Sequence, residues 1–248
     1  MGLPEIAVVL ICTVTTFVSG LCGVGGFMLS IPVMALFFPF RTVVLACAMA
    51  GPCLSLLLLA RYVRHCRWRS LVPMLMGAVP GAAVGVWIIA TVDGAVLQLI
   101  LGLVMLVFLA WQQWGKRSQG GESWRLGGLA GFISGILGTS ISVDGAPVGA
   151  YGLYVGWGPF AFLGTLSSYY FLRGVLSFTA QASAGLYNAE IAHVAMYVLL
   201  GSITGTLLSF PVLNRCNVTI FRSIVKIVLL FAALFSLWNA RGLFGLGN

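Results

Sequence analysis

The sequence predicts an all-α integral membrane protein with two inverted-topology repeats, each a broken or re-entrant pair of short helices followed by three transmembrane helices. Three observations lead there. The composition is 60% hydrophobic and only 7% charged, with a mean hydropathy of +1.07, well beyond soluble proteins of this size. The apolar segments divide five and five about a basic linker. The charged residues between segments alternate between the halves in opposite senses.

A bilayer core about 30 Å thick is crossed by about 20 apolar residues in helical form. Apolar segments fall at about 5–22, 27–40, 42–60, 71–91 and 94–114, then 125–140, 145–157, 159–182, 190–211 and 219–239. The first two of each half are short and separated by glycine-rich or polar sequence, which reads as half-helices or re-entrant pieces. This gives a first repeat at 1–114, a cytoplasmic linker at 115–124 and a second repeat at 125–248. The N-terminal MGLPEIAVVL has no basic run and carries Glu5, so its apolar stretch reads as a retained helix rather than a cleaved leader. The six cysteines show no CxxC spacing and mostly sit in apolar runs, where cysteine packs as a small hydrophobe.

The halves are related by sequence. FVSGLCGVGGFMLSIPVMA at 17–35 aligns without gaps on FISGILGTSISVDGAPVGA at 132–150, at a constant offset of 115 and with seven identities. These include Ser19 with Ser134, Gly20 with Gly135, Gly23 with Gly138 and Pro32 with Pro147. A second block pairs Gly77 with Gly201 and Gly81 with Gly205.

Short cytoplasmic loops collect Lys and Arg. Arg61, Arg64, Arg67 and Arg69 place the 61–70 loop inside, whereas the matching AGLYNAE loop of the second half has no basic residue and is placed outside. The following loops reverse the pattern, with Asp93 in one and Arg215 and Arg222 in the other, and Lys116, Arg117 and Arg125 place the linker inside. The halves are therefore expected to run antiparallel, with both termini outside. The net charge of +8 is distributed as topology signals and not as a nucleic-acid surface.

Inverted repeats with discontinuous helices are the architecture of many secondary transporters, whose sites lie near the midplane. Gly23, Gly25 and Gly26 permit a helix break, and Ser30-Ile31-Pro32 reads as an N-cap with an early proline. A second restart is expected near residue 146, after Gly145. Two first turns facing one cavity would offer N–H groups and positive dipole ends to an anion, with Thr139, Ser140 and Ser142 adding hydroxyls. Close helix packing is the competing account of such small residues.

Arg173, near the middle of the eighth segment, costs about 3 kcal/mol on insertion scales and so calls for a partner or a role. Three readings stand: contact with the anion, an ion pair with Asp144, or snorkelling from a misplaced boundary. Asp144 is the one acidic residue within a motif at membrane depth. It is either a helix N-cap or a site coupling transport to H+ or Na+. No metal site is expected, since His65 and His193 lack ligand company, and no cofactor is expected.

The residues SGLCGVGGFMLSIPV, SGILGTSISVDGAPV, the late Gly-x3-Gly segments and IFRSIV at 220–225 resemble the TauE/SafE-type sulfite exporter family of bacterial membrane transporters. The resemblance covers nearly the whole chain. Two departures are Asp144-Gly145-Ala146-Pro147, where the family's motif usually runs into Gly-Pro-Pro, and Leu163, where an arginine is common. The resemblance implies transport, by export or uptake, of a small sulfur-containing or organic anion such as sulfite, a sulfonate or thiosulfate, by a multi-pass protein of the bacterial cytoplasmic (inner) membrane. A homo-oligomer is compatible with it. An anion channel is the alternative, distinguished by flux that does not saturate. An intramembrane enzyme is disfavoured, because the serines near the glycines have no neighbouring base and no HExxH motif occurs. An assembly subunit would have no use for two broken-helix motifs.

Overall fold

The computed structural model describes residues 3–22, 27–114, 120–213, and 230, 233, 234 and 236–238. Among them the regular elements are all helical: α1 Leu3–Cys22, α2 Ser30–Met34, α3 Phe40–Tyr62, α4 Trp68–Thr91, α5 Gly94–Trp114, α6 Trp124–Ile141, α7 Gly145–Val155, α8 Pro159–Ser183 and α9 Ala189–Leu213. Most of the tenth expected segment, 219–239, lies outside the described residues, as do Gly23, Gly25 and Gly26.

Helix bounds follow the apolar segments within a few residues, with one correction. The segment expected at 27–40 contains only the five-residue α2. Pro39 precedes α3 and disfavours helical geometry at Phe38, so the chain leaves α2 through turn-type hydrogen bonds from Leu36 to Val33 and from Phe37 to Met34. Ser30 is correspondingly inside the first turn and does not cap it. Leu29 holds the N-cap position, and the Ser30 hydroxyl is 2.5 Å from that of Thr15 in α1.

Among the described residues, four helical stretches are long and apolar enough to cross a bilayer: α3 with the turn after it, α4, residues 94–111 of α5 and residues 189–209 of α9. Trp68 and Trp87, both outward-facing, mark the two ends of α4. Nineteen residues of helix separate them by about 28 Å, close to the hydrocarbon thickness, as interfacial tryptophans require. Val72, Met76 and Val79 lie exposed between them, an apolar face suited to lipid.

Glycines decide which helices meet. A Cβ on Gly77 would strike the Gly128 carbonyl, one on Gly81 the Phe132 carbonyl, and one on Gly85 the Thr139 Cβ at 2.7 Å. These contacts advance together along both chains, so α4 and α6 run parallel with backbones in near contact. At α9, a Cβ on Gly201 would meet Cys12 Cβ at 2.9 Å, and one on Gly205 would strike the Thr13 carbonyl. The pair α1 and α9 is therefore parallel too.

Ends can be placed from loop contacts. Arg67 Nη1 is 3.3 Å from Glu122 Oε1, joining the α3–α4 loop to the approach to α6. Gly164, early in α8, lies against Tyr62, His65 and Cys66 of the same loop. From there α8 runs 25 residues to the turn before α9. Hence α4, α6 and α8 begin at one end of the bundle, and α9, with α1 beside it, begins at the other.

The start of α6 and the end of α7 lie together. Gly120 N–H donates to the Tyr154 carbonyl at 3.0 Å, and the Tyr151 hydroxyl reaches the Ser123 carbonyl at 3.2 Å. The two helices thus form a hairpin with its open ends together. Its reversal is made by Ser142, whose φ of 53° is left-handed and ends α6.

Candidate functional site

Helix α8 carries a polar residue every fourth position, Thr165, Tyr169, Arg173, Ser177 and Gln181, and all five are buried. A repeat of four stays nearly on one face of a helix. Members of this stripe make hydrogen bonds across the bundle. Thr165 Oγ1 accepts from the Arg67 N–H at 2.9 Å, and Tyr169 donates to the Gly131 carbonyl at 3.3 Å. Gln181 Nε2 donates to the Thr139 carbonyl at 2.8 Å.

At the centre of the stripe, Arg173 Nη2 is 2.8 Å from Asp144 Oδ2, and each residue is 9% exposed. Arg173 Nη1 donates to Ser177 Oγ at 3.0 Å, and Ser177 Oγ is 2.6 Å from Thr139 Oγ1. A buried charge pair is tolerated when its remaining donors and acceptors are also bonded. Ser134 Oγ adds to this by donating to the Asp144 carbonyl at 2.8 Å.

The hairpin provides the room. A Cβ on Gly138 would collide with the Arg173 guanidinium and lie 2.9 Å from Asp144 Cβ. Asp144 holds the N-cap position of α7 but makes no side-chain cap hydrogen bond, because its carboxylate is directed to Arg173.

The polar chain continues toward the end of the bundle where α9 begins. The Tyr187 hydroxyl, in the α8–α9 turn, donates to Gln181 Oε1 at 2.7 Å. Burial pushes the Tyr187 phenol above its usual range, so it remains a donor at ordinary pH.

The residues singled out from sequence separate into groups. Thr139, Asp144, Gly145 and Arg173 converge at the hairpin tip. Ser140 is buried but its hydroxyl back-bonds to the Ile136 carbonyl at 2.7 Å. Ser142 Oγ donates to the Val44 carbonyl of α3 at 3.1 Å, fastening the hairpin to α3. Ser30 pairs with Thr15 of α1. Ser134, Gly138, Ser177 and Gln181 were not singled out. All four carried a signal, since Ser134 and Gly138 are identities of the internal repeat, and Ser177 and Gln181 follow Arg173 at four-residue spacing.

Apolar helices of bilayer length, outward apolar faces and, among the described residues, charge buried only as a neutralised pair define a helical membrane protein. The model of the family described as Sulfite exporter TauE/SafE matches residues 8–236. The chain belongs to that family, and is a membrane transport protein. Comparison with curated proteins gives no match, and neither does comparison with solved structures.

Proposed function

We propose that this chain is a secondary transporter, acting as an exporter, of a small sulfur-containing or organic anion such as sulfite, a sulfonate or thiosulfate. It works by alternating access in the cytoplasmic membrane of a bacterium, as two inverted repeats at 1–114 and 125–248. The observation that carries the reading is the buried Arg173–Asp144 pair at the tip of the α6–α7 hairpin. A carboxylate on a guanidinium is the internal counterpart of an oxyanion substrate. The substrate takes the place of Asp144 on Arg173, and protonation of Asp144, or its capture of Na+, keeps the exchange neutral.

Packing supports the inverted repeat. The contacts of Gly77 with Gly128 O and Phe132 N are mirrored by those of Gly205 with Thr13 O and Phe17 N, each partner shifted by the same 115 residues. This equates Gly77 with Gly205, one helical turn beyond the sequence pairing of Gly77 with Gly201. Each half lends its fourth helix to the first helix of the other, and α1 and α6 start at opposite ends, as an inverted relation requires. The α6–α7 hairpin then reads as a re-entrant pair.

Asp144→Asn tests the coupling. It keeps the size and a hydrogen-bond acceptor but cannot exchange a proton. In proteoliposomes it should retain sulfite binding, lose gradient-driven accumulation and lose the pH dependence of binding. Uphill transport equal to the parent at every pH would remove Asp144 from the coupling.

Sidedness has its own test. With cysteines introduced at Arg64 and Gly121 on a cysteine-free background, an impermeant maleimide added outside should leave both unlabelled until the membrane is permeabilised. Labelling of either in intact cells would overturn the assignment of the 61–70 loop and the linker to the inside.

A further inference from the structure

The Arg173 guanidinium has three bonding regions, and the structure accounts for two of them. Nη2 holds Asp144 and Nη1 holds Ser177. Nε is buried and, among the described residues, has no hydrogen-bond partner. One turn earlier on α8, the Tyr170 hydroxyl is likewise buried and without a partner. Residues three apart on a helix are surface neighbours, so the Tyr170 side chain leaves α8 next to that of Arg173. Its neighbour Tyr169, by contrast, spends its hydroxyl on the Gly131 carbonyl.

Leaving a buried donor unpaired costs about 1–3 kcal/mol, more when it is charged. Two such donors beside one ion pair mark a place where a ligand supplies the missing acceptors. Resting on the reading of Arg173 as the anion-binding residue, we infer that the transported oxyanion is received on the Nε side of Arg173 with the Tyr170 hydroxyl as its second donor. Both groups donate, so the ligand class is one with at least two acceptor oxygens on one centre, as in sulfite or a sulfonate. An oxyanion can give each donor its own oxygen, whereas chloride must serve both from one centre, which suits two separated donors less well. Tyr170 is thus a specificity-determining residue that distinguishes oxyanions from halide.

The test measures binding of sodium sulfite, sodium thiosulfate, taurine and sodium chloride to the purified full chain in detergent, for the parent and for Tyr170→Phe and Arg173→Lys. The first replacement removes only the hydroxyl, and the second keeps a cation but lacks Nε. Expected are saturable binding of at least one of the three sulfur compounds by the parent, and a loss of roughly tenfold or more in that affinity in each variant. Chloride binding should not change in Tyr170→Phe. Without ligand, Tyr170→Phe should melt at or above the parent's temperature, since it deletes an unsatisfied buried group. Unchanged affinity in Tyr170→Phe, with the parent binding, overturns the inference and leaves the proposed function standing. Weakened affinity accompanied by a ligand-free melting temperature several degrees lower assigns the hydroxyl a structural role and overturns it too. A parent that binds none of the three sulfur compounds overturns the proposed function and the inference together.

Discussion

Arg173→Ala is expected to abolish transport and to destabilise the protein by about 3–5 kcal/mol, the cost of leaving a buried charge without its partner. Both side chains are close to nine-tenths buried, so solvent offers Asp144 little compensation. The double replacement Arg173→Met with Asp144→Leu should recover most of that loss, because well-packed apolar residues commonly replace a buried pair without penalty. It should not recover transport. Thermal unfolding in detergent gives the stability of the parent, the single and the double variant, and proteoliposome uptake gives their activity. If the single and double variants are equally unstable, the pair is not the energetic unit that its 2.8 Å separation indicates. If the double variant transports like the parent, the anion is bound elsewhere.

Gly131→Val is expected to remove most folded protein. A Cβ at Gly131 would run into the Met74 carbonyl, a backbone atom of α4 that cannot rotate aside. Overpacking commonly costs 1–3 kcal/mol, and a collision between two backbones falls at or above the upper end of that range. Gly128→Ala is the control three residues away. There the nearest atom to the new Cβ is the Pro73 carbonyl oxygen at 3.7 Å, an ordinary contact, and a Gly to Ala change in a helix gains up to about 1 kcal/mol in propensity. Gly128→Ala should therefore melt at or above the parent's temperature, while Gly131→Val yields little monodisperse protein on size exclusion. Equal behaviour of the two would mean that α4 and α6 are not in backbone contact.

Much of the fold was legible in sequence because the bilayer reduces the question to one dimension. Whether a stretch such as 94–114 or 189–213 is a helix depends on its own transfer into hydrocarbon, and its ends are marked by the first charge, proline or glycine cluster. Hence the structure starts α5 at Gly94 and α8 at Pro159, where the apolar runs begin. The segment at 27–40 was misread because its hydropathy is high throughout, while Pro39 acts on backbone geometry, which hydropathy does not record.

The site was legible in part. Arg173 and Asp144 stood out as charges at membrane depth, and burial of a charge demands a partner. The ion pair of Arg173 with Asp144 stood among the readings of the sequence, but the choice between it and capping of α7 did not follow, because capping is a contact with the next few residues whereas the pair joins residues 29 apart.

The sequence by itself determined which stretches are helical, where they break and which residues are costly to bury. These properties sum over neighbours in the chain. Only the tertiary structure decided that α4 lies on α6 and α9 on α1, that Tyr169 has a partner and Tyr170 has none, and that Gly138 yields its Cβ space to the guanidinium of Arg173. Those outcomes depend on how closely two backbones approach and at what register. That approach is set by small residues on both helices at once, so no single stretch of sequence contains it.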